Sequence, residues 1–317
     1  MGMHKFSVIV PTYKRPEKLR ACLNSLVRQD YPKDHYEVIV VDNSGEDQSH
    51  DVVTIFSSLI DMQYVRETRC GLVYARHAGA KAARHEVLAF TDDDGIVVPV
   101  WLSRIDEVLS TNQRIAAVAG RIEIRWDKEP PVWVEEYESL MGKLDYGDDI
   151  KVETGMYING GNFTIKKSIL FSLKGFNPDQ VKDRLVGDGD TGLCRKLFKM
   201  NALIGWAPEA LMYHCQEVER NATFKDIARR YKNNGIASAY NVYVTEGKRG
   251  IALIGELCLS FWAILKDFFG VFMYIFGEKR DFIFNAHYHL SKIMFIFRLV
   301  FDSDLTQMLK KRDWELT

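Results

Sequence analysis

Short apolar runs alternate with segments of helical spacing over the first 120 residues. The apolar runs are rich in β-branched residues and end at proline or polar residues, which is typical of strands. The segments between them place apolar residues three and four positions apart, which predicts helices. This alternation favours an α/β fold with a mostly parallel sheet and helices on both faces. The predicted strands are Phe6–Pro11, Tyr36–Asp42, Met62–Arg66 and Val87–Thr91, and the predicted helices are Pro16–Arg28, a segment after the turn Asn43–Asp47, and Leu72–Ala83.

Polar residues stand where several of these strands end. Thr12 and Tyr13 follow the first strand, Asp42 ends the second, and the acidic triplet Asp92–Asp94 follows the fourth. Ligands of such sheets bind beyond the carboxyl ends of the strands. Adjacent carboxylates repel each other unless a cation shares their site, and a D-x-D pair can offer hard oxygen ligands to Mg²⁺ that also binds a diphosphate. A metal-diphosphate site therefore competes with a solvated acidic turn as the interpretation of this triplet.

The pattern is less regular in the second half of the chain. Further strands are predicted at Ile115–Ile124 and Ala202–Trp206, while the charged segment Lys143–Glu153 predicts a mobile loop. Trp126 and Trp133 flank two prolines, where they would form either an aromatic wall for a sugar ring or an edge of the core.

Composition changes after residue 250. Residues 261–301 hold 13 of the chain's 38 Phe, Trp and Tyr residues, and the stretch from Lys248 to Arg312 has ten basic and six acidic residues. No uninterrupted apolar run approaches the roughly 20 residues that a membrane span needs. Aromatic, amphipathic and mildly basic helices suit the surface of an anionic membrane, although packing on the preceding domain or on a second subunit is the alternative.

Bulk properties narrow the choice of partner and compartment. The 317 residues carry a net charge of −1, which argues against nucleic acid as a partner. The five cysteines are scattered, without a C-x-x-C pair or metal-ligand spacing, and predict reduced thiols in the cytoplasm. The apolar stretch near the N-terminus is too short for a signal peptide and fits a strand better.

Four motifs together resemble one enzyme family. VIVPTYKRP, VVDNSGED, the spaced residues Arg69-x-Gly71-x-x-x-Ala75-Arg76, and FTDDD occur in an order and spacing that resembles the family 2 glycosyltransferases, over roughly residues 5–240. The resemblance implies the Rossmann-like GT-A fold, with a mostly parallel mixed sheet. It also implies inversion at the anomeric carbon, a divalent metal (Mg²⁺ or Mn²⁺) and a nucleotide-diphosphate sugar donor, for which UDP is favoured.

The resemblance also assigns roles to individual residues. Asp94 is the expected direct metal ligand and Asp93 is expected near the ribose. The histidine after the last predicted strand resembles a family residue near the metal or diphosphate, although a structural role is equally compatible with a lone histidine. The expected donor-binding residues are Pro11, Thr12, Tyr13, Asp42, Arg76, Asp92, Asp93, Gly161 and Asn162, and the expected metal ligands are Asp92, Asp94 and His214.

The acceptor site is predicted from residue types alone. Trp126 and Trp133 are the aromatic candidates, and Arg230 lies in a polar, predicted helix where it would meet an anionic acceptor or form a solvated face. We expect a glycan or lipid-linked glycan as acceptor.

The segment around Gly187-Asp-Gly-Asp190 permits three interpretations. A dinucleotide-binding fingerprint is formally present, but no apolar strand precedes it and aspartates occupy the place of the pyrophosphate, so we reject it. Two aspartate motifs also resemble the haloacid dehalogenase phosphohydrolases, which are the second interpretation. Third, alignment with the family 2 pattern G-E-D-x-D-L-x-x-R-L puts Asp190 in the place of the catalytic aspartate and Gly189 in the place of its glutamate, which leaves Asp188 as a possible substitute. A helix starting near Thr191 would make Asp190 its N-cap.

The sequence thus predicts a metal-dependent inverting glycosyltransferase. Residues 1–245 would form the catalytic domain, with a nucleotide-sugar half at 1–125 and an acceptor and catalytic half at 126–245. Residues 246–317 would form an amphipathic helical extension that makes peripheral contact with the cytoplasmic face of a membrane. The alternatives are a haloacid dehalogenase-like phosphohydrolase and a non-catalytic sugar-nucleotide-binding protein of the same fold.

Overall fold

The structure is a computed structural model that describes residues 3–45, 48–181, 184–273 and 279–317. Residues 46 and 47, in the predicted turn before the second helix, lie outside the described residues. The chain divides into two units, which we call the sheet unit and the helical unit. The sheet unit comprises Met1–Asn177, Gly189–Glu217 and Glu315–Thr317, and the helical unit comprises Pro178–Asp188 and Val218–Trp314.

Among the described residues, nine strands form one sheet in the sheet unit, and two short strands pair as an antiparallel hairpin in the helical unit. The strands of the sheet are β1 (Phe6–Thr12), β2 (Tyr36–Asp42), β3 (Met62–Arg66), β4 (Val87–Thr91), β5 (Gly95–Val97), β6 (Ile115–Trp126), β7 (Lys151–Glu153), β8 (Asn162–Lys166) and β11 (Leu203–Gln216), and those of the hairpin are β9 (Gln180–Val181) and β10 (Arg184–Leu185).

The described helices of the sheet unit are α1 (Pro16–Val27), α2 (Gln48–Phe56), α3 (Leu72–Ala82), α4 (Trp101–Thr111), α5 (Lys167–Ser172) and α6 (Gly189–Lys199), with 3₁₀ segments at Lys33–His35 and Val132–Met141. Those of the helical unit are α7 (Val218–Asn221), α8 (Phe224–Tyr240), α9 (Gly250–Met273), α10 (Lys279–Phe301) and α11 (Ser303–Lys311), with a π-helical turn at Asn241–Thr245.

The sheet is mixed and mostly parallel. Its strand order is β3-β2-β1-β4-β8-β6-β11-β5, and β7 pairs with β11. The short strands β5 and β7 and the strand β8 run antiparallel to their neighbours, and the remaining pairs are parallel. In the β1–β2 pair, Thr12 lies opposite Asp42, so the predicted ligand-binding residues of these two strands meet at one edge of the sheet.

The central strands are apolar because both of their faces are covered. Val8 and Val10 of β1 belong to a core cluster with Leu23 of α1. On the opposite face, α3 comes so close that a Cβ at Gly79 would lie 2.4 Å from the side chain of Ile9. Since successive residues of a strand point to opposite faces, the uninterrupted apolar run in β1 serves both layers.

The α/β prediction is confirmed, and the predicted strands agree with β1–β4 and β6 to within two residues. Three local predictions are wrong. The strand expected at Ala202–Trp206 is much longer, because β11 continues to Gln216 through its pairing with β6 and β5, so His214 lies within this strand rather than after it. The segment Lys143–Glu153 is not entirely a loop, because Lys151–Glu153 pairs with β11 and Leu144 pairs with Ile122. The helix expected from Thr191 begins at Gly189, so Asp190 lies in its first turn rather than at the N-cap.

The helical unit packs α8 against α10 at a close approach. A Cβ at Gly235 would lie 2.2 Å from the carbonyl oxygen of Tyr288, so only glycine allows this helix spacing. Between α9 and α10, Glu256 accepts a hydrogen bond from Lys292 at 2.8 Å. Among the described helices, none combines the length and the apolar character needed to cross a membrane.

A buried carboxylate ties together the amino ends of the parallel strands. Glu37 on β2 is fully buried. It accepts hydrogen bonds from the hydroxyl of Ser7 on β1 at 2.6 Å, from Gln63 on β3 at 2.5 Å, and from the backbone N–H and Nε of Arg84, each at 2.7 Å. Burial alone would raise the pKa of Glu37, but these hydrogen bonds outweigh it and lower the pKa below its usual value.

This network predicts an acid-sensitive contribution to stability. Because the pKa of Glu37 is lower in the folded chain, its stabilisation is complete above the unfolded-state pKa of about 4.3 and is lost as the pH falls through the folded-state value. We expect Glu37→Gln to lower the free energy of unfolding by about 2–3 kcal/mol near pH 7, because an amide group would face the same donors. The difference from the wild type should shrink below about pH 4, as measured by urea denaturation across pH.

Glu17→Gln is the matched control, because Glu17 is exposed and its ion pair with Arg20 spans 3.9 Å. Its effect should stay within about 0.5 kcal/mol at every pH. Equal stability of Glu37→Gln and the wild type at neutral pH would contradict the stabilising role of the network.

Candidate active site

The acidic triplet forms the tight turn between β4 and β5. The N–H of Gly95 donates to the carbonyl oxygen of Asp92 at 3.0 Å, which closes the turn. A Cβ at Gly95 would lie 2.6 Å from the sulfur of Met212 on β11, so glycine lets β11 pair closely with β5. The N–H of Cys215 on β11 donates to the carbonyl oxygen of Asp94 at 2.9 Å. Backbone bonds to β11 therefore fix the turn at the carboxyl end of β4.

Asp93 is the most deeply buried carboxylate of the three. Its Oδ2 accepts a hydrogen bond from the Thr12 hydroxyl at 2.8 Å, and its Oδ1 lies 3.4 Å from the Arg15 guanidinium. Burial raises the pKa of Asp93 to about 6, against the opposing charge of Arg15 and with the added repulsion of Asp94. This carboxylate is therefore anchored to the end of β1 and not directed into solvent.

Asp94 lies between cationic groups from separate elements. Its Oδ2 accepts from Nη1 of Arg15 at 2.8 Å, and its Oδ1 lies 3.2 Å from Nε2 of His214. Lys18 on α1 is 4.0 Å from the same carboxylate. Burial alone would raise the pKa of Asp94, but the hydrogen bond and charge of His214, with Arg15 and Lys18, lower it. Asp94 is therefore a carboxylate whose ionised form the protein stabilises.

His214 presents one particular nitrogen to this carboxylate. It lies opposite Gly95 in the β11–β5 pair, and its Nδ1 is 2.8 Å from the carbonyl oxygen of Met141. A carbonyl only accepts, so Nδ1 carries a hydrogen and Nε2 faces Asp94. Burial alone would lower the pKa of His214, but the hydrogen bond and charge of Asp94 raise it above its usual value. A histidine held by a carbonyl in this way is oriented to offer Nε2 to a metal.

The donor set fits a divalent cation that is shared with a phosphate ligand. Within the described residues, no group of three or more His, Cys, Asp and Glu side chains is arranged to enclose a metal. Asp94 and His214 do face each other across 3.2 Å, and Asp92 precedes Asp94 by two positions in the same turn. Mg²⁺ is usually held by one or two carboxylates together with water and substrate phosphates, so a complete protein cage is not required.

Arg76 and the turn Asn159–Asn162 form the other side of the acidic turn. Arg76 of α3 is buried, and its Nη2 lies 3.1 Å from Oδ1 of Asp92. Its guanidinium packs on the backbone of Gly160, where a Cβ would lie 2.5 Å from it. A Cβ at Gly161 would lie 3.1 Å from Oδ2 of Asp92. Because neither glycine has a side chain, the Arg76 guanidinium and the Asp92 carboxylate can both lie against the backbone of this turn.

The same turn holds the first catalytic candidate. Oδ2 of Asp190 accepts a hydrogen bond from the N–H of Gly160 at 2.7 Å, and Oδ1 accepts from the N–H of Thr191 at 2.8 Å. The structure thus brings Asp190, Arg76 and Asp92 to one glycine pair. The other candidate, Asp188, is buried and belongs to the helical unit, as does Arg230 on α8.

Several of the predicted donor-binding residues lie at the ends of β1 and β2. Asp42 is fully buried, and its Oδ2 accepts from the Tyr64 hydroxyl at 2.9 Å. Its Oδ1 accepts from the backbone N–H of Ser44 at 2.7 Å and from the Ser44 hydroxyl at 2.5 Å. Pro11 is buried beside it on β1, whereas the Tyr13 side chain is 46% exposed. Neighbouring hydroxyls thus hold the Asp42 carboxylate in one orientation.

The side chain of Asn162 is committed within the fold. It is fully buried, its Oδ1 accepts from the indole N–H of Trp101 at 2.8 Å, and its Nδ2 donates to the carbonyl oxygens of Arg121 and Ala210, each at 2.8 Å. This amide therefore fixes the start of β8 and, with it, the glycine turn.

The two predicted aromatic candidates belong to a local network around the 3₁₀ segment Val132–Met141. The indole N–H of Trp126 donates to Glu138 at 3.1 Å, and Lys143 donates to the same carboxylate at 2.7 Å. Trp133 packs edge-to-face on Tyr137, with ring centroids 6.0 Å apart. The segment ends at Met141, whose carbonyl oxygen orients His214.

Sequence reasoning missed several residues of the site. Arg15 bridges Asp93 and Asp94, and its position three residues after the end of β1 was the available signal. Asn43 donates to the carbonyl oxygens of Glu67 and Arg69. This contact joins distant segments of the chain, so no local sequence pattern predicts it. No local sequence pattern predicts the contacts of Tyr64 with Asp42 or of Met141 with His214 either.

Comparisons with known proteins bear on this arrangement. A sequence profile described as "Glycosyl transferase family 2" matches residues 7–172, which include the acidic triplet. "Glycosyltransferase AglE" of Haloferax volcanii is 33% identical over 136 residues, which cover 42% of this chain and 44% of that protein. The "Glucosyl-dolichyl phosphate glucuronosyltransferase" of the same organism is 24% identical over 201 residues, which cover 62% of this chain and 64% of that protein.

Among solved structures, the mannosyltransferase PcManGT from Pyrobaculum calidifontis in complex with GDP-Man and Mn²⁺ is similar, with a TM-score of 0.60 and 18% identity over 96% of this chain and 89% of that chain. At this identity the likeness shows the fold alone, which is the GT-A fold. The chain matches less than two thirds of the length of each of the two Haloferax relatives. Since the matched profile covers the triplet on which the haloacid dehalogenase interpretation depended, that interpretation loses its support.

Proposed function

The chain belongs to glycosyl transferase family 2, and from that membership we propose a metal-dependent, inverting glycosyltransferase that moves a sugar from a nucleoside diphosphate to a glycan or lipid-linked glycan. A UDP-sugar is the favoured donor, because the Asp42 carboxylate can accept a hydrogen bond from a pyrimidine N–H. Residues 1–245 carry catalysis in this proposal, and residues 246–317 contact the cytoplasmic face of a membrane.

One observation carries the proposal. The glycine pair Gly160-Gly161 touches a cation, a carboxylate of the D-x-D turn and the candidate base at once. A sugar diphosphate needs these groups together, because its phosphates require positive charge while the acceptor hydroxyl requires a proton acceptor. Glycine at both positions leaves room for a ligand to approach the backbone.

The chain's own residues divide the work. Asp42 and Pro11 bind the base, with Tyr13 at the exposed rim, and Asp93 lies near the ribose. Arg76 balances negative charge at the diphosphate. Asp92, Asp94 and His214 would hold the divalent cation, which when bound stabilises the charge that develops on the departing nucleoside diphosphate.

Asp190 is the proposed base. The acceptor hydroxyl attacks the anomeric carbon from the side opposite the leaving group, so the new glycosidic bond forms as the bond to the diphosphate breaks. Asp190 takes the hydroxyl proton, and its hydrogen bonds to the N–H groups of Gly160 and Thr191 keep the carboxylate in place for that transfer. Trp126 and Trp133 offer faces for an acceptor sugar, and Arg230 offers a positive charge.

The membrane contact rests on the exposed faces of two long helices. Each helix carries apolar residues at helical spacing on its exposed side, as large exposed apolar faces at interaction sites do. The charge balance of +4 between Lys248 and Arg312 complements anionic lipid, and Lys266 extends over the Trp262 ring at 5.7 Å. Among the described side chains, the large exposed apolar ones are Ile251, Ile254, Leu259, Phe261, Trp262, Leu265 and Phe268 on α9 and Ile283, Leu290, Met294, Phe297, Val300 and Phe301 on α10.

The metal assignment predicts a loss of coupling in Asp94→Asn. Wild-type protein should bind UDP more tightly with Mn²⁺ than without it, and the variant should lose this enhancement because an amide is a weaker cation ligand. The melting temperature with UDP, with and without Mn²⁺, measures the effect by mass action.

Asp61→Asn is the control for this prediction, because Asp61 is half exposed beside Arg84 at the amino end of β3. It should retain the full enhancement. Tight binding of UDP with Mn²⁺ by Asp94→Asn would contradict the metal assignment.

The base assignment predicts a ranking of two variants. Asp190→Asn should cut the rate of sugar transfer by at least about a hundredfold, because a positioned base contributes roughly 10²–10⁴-fold. Donor binding should survive, since the amide oxygen of asparagine can still accept from Gly160. Asp188→Asn should reduce transfer less, as measured by nucleoside diphosphate release in the presence of Mn²⁺.

The reverse ranking would make Asp188 the base, and near-normal transfer by both variants would remove this segment from the mechanism. Wild-type protein that binds donor but never turns it over would instead support a non-catalytic binding protein.

The membrane proposal predicts a loss of vesicle binding without a loss of folding. The double variant Phe261→Ser, Trp262→Ser should bind phosphatidylglycerol vesicles at least about tenfold more weakly, because each side chain contributes roughly 1.5–3 kcal/mol when buried in an apolar environment. Since both side chains are exposed, the melting temperature should hardly change.

Val132→Ser is the matched control, because Val132 is an exposed apolar residue of the sheet unit. It should leave sedimentation with vesicles unchanged. A dimeric wild type that the double variant converts to a monomer, with no change in vesicle binding, would identify the face as a subunit contact instead.

A further inference from the structure

Arg15 is the cation of the acidic turn that is free to leave it. Its side chain is 43% exposed, whereas that of Arg76, the other arginine at the turn, is 6% exposed. Arg15 nevertheless lies 2.8 Å from Oδ2 of Asp94 and 3.4 Å from Oδ1 of Asp93. A half-exposed guanidinium thus occupies the carboxylate that the proposed function assigns to the metal.

The backbone around Arg15 is held away from its commonest conformations. Lys14 has a φ of +54°, a left-handed conformation that residues other than glycine rarely adopt. Arg15 itself precedes α1, whose amino end receives no side-chain cap. The contacts of Arg15 with the two aspartates therefore help to hold the loop over the turn.

Arg15 and a divalent cation would share the carboxylate of Asp94, whose Oδ2 faces Arg15 and whose Oδ1 faces His214. Two cations on one carboxylate repel each other, and the two carboxylates that face Arg15 are nearly buried, so water screens that repulsion poorly. Lys18 does not resolve the conflict, because it is shared between Asp94 at 4.0 Å and Glu217 at 2.9 Å. Arg15 at Asp94 would therefore weaken the binding of a divalent cation in the absence of donor.

A diphosphate removes this penalty. Its oxygens offer a guanidinium the bidentate hydrogen bonds that a carboxylate offers, with at least as much negative charge. Thr12 and Tyr13, on the same strand end as Arg15, are already among the residues proposed to line the donor site. Arg15 can therefore exchange Asp94 for the donor with little loss.

We propose that Arg15 is a displaceable counter-ion that pairs with Asp94 and transfers to the diphosphate of the donor, so that divalent cation and donor bind as a pair. This inference rests on the proposed function. It adds that the divalent cation and the donor each bind more tightly when the other is present. Coupling between two ligands is reciprocal, so Arg15 strengthens the binding of each ligand in the presence of the other.

The test is calorimetric titration with Mn²⁺ alone, UDP alone and Mn²⁺ in the presence of UDP. In the wild type, UDP should strengthen Mn²⁺ binding by at least about tenfold. In Arg15→Gln, Mn²⁺ alone should bind several-fold more tightly than in the wild type, while the enhancement by UDP should fall by a similar factor. These titrations measure binding and need no acceptor.

Two further variants separate charge from folding. Arg20→Gln removes an arginine of α1 that pairs with Glu17 at 3.9 Å, and it should behave as the wild type. Arg15→Lys keeps the charge, so Mn²⁺ alone should bind it as weakly as the wild type. Arg20→Gln should melt with the wild type, since Arg20 is substantially exposed. Melting temperatures of the two Arg15 variants without ligand show that they are folded and how much the Arg15 ion pairs contribute to stability.

Unchanged or weaker binding of Mn²⁺ alone by Arg15→Gln, with Mn²⁺ and UDP still bound by the wild type, overturns the role of Arg15 and leaves the proposed function intact. Tightening of Arg15→Lys to the level of Arg15→Gln also overturns it, because the charge would then be immaterial. A wild type that binds neither Mn²⁺ nor UDP overturns the proposed function, and the role of Arg15 with it.

Discussion

Repulsion among the three carboxylates of the turn after β4 is the constraint on which the site depends. Side chains this close keep their charges only where cations face them. The cations come from four places in the chain: Arg76 from α3, Arg15 from the loop after β1, Lys18 from α1, and His214 from β11. The sheet order meets this need, since β1 is the direct neighbour of β4 and β5 continues from the turn to pair with β11.

The mixed part of the sheet is therefore as important as the parallel part. If β5 did not turn back to pair with β11, no ladder would put His214 opposite Gly95, and its Nε2 would not reach Asp94. Two glycines make this close packing around the turn possible. Glycine at position 95 permits the β5–β11 approach, and Gly160 permits Arg76 to lie against the backbone while its own N–H holds Asp190.

The sequence predicted the strands and the acidic turn because both are encoded locally. Apolar runs mark buried parallel strands, and polar residues directly after them mark the edge where ligands bind. Long-range partners are not encoded in this way. Asn162 belongs to the same glycine-rich motif as Gly161, yet its amide oxygen accepts a hydrogen bond from the indole N–H of Trp101, which lies 61 positions earlier in the chain. The strand β7 also escaped prediction, since an edge strand of three residues joins the sheet mainly through its backbone.

The helical unit shelters an ion pair and exposes large apolar side chains, and both features bear on the environment that suits it. Its ion pair between Glu256 and Lys292 is mostly sheltered between two helices, while Trp262 and Phe301 are largely exposed. Sheltering a charged pair costs desolvation, and exposing aromatic rings to water forfeits their burial, so neither choice favours a helix pair in water. Both choices become favourable when the outer faces meet an apolar phase, because the rings are then buried and the charges remain paired inside. An acceptor carried on a lipid would be presented from such a phase, which links the composition of these helices to the proposed chemistry of the sheet unit.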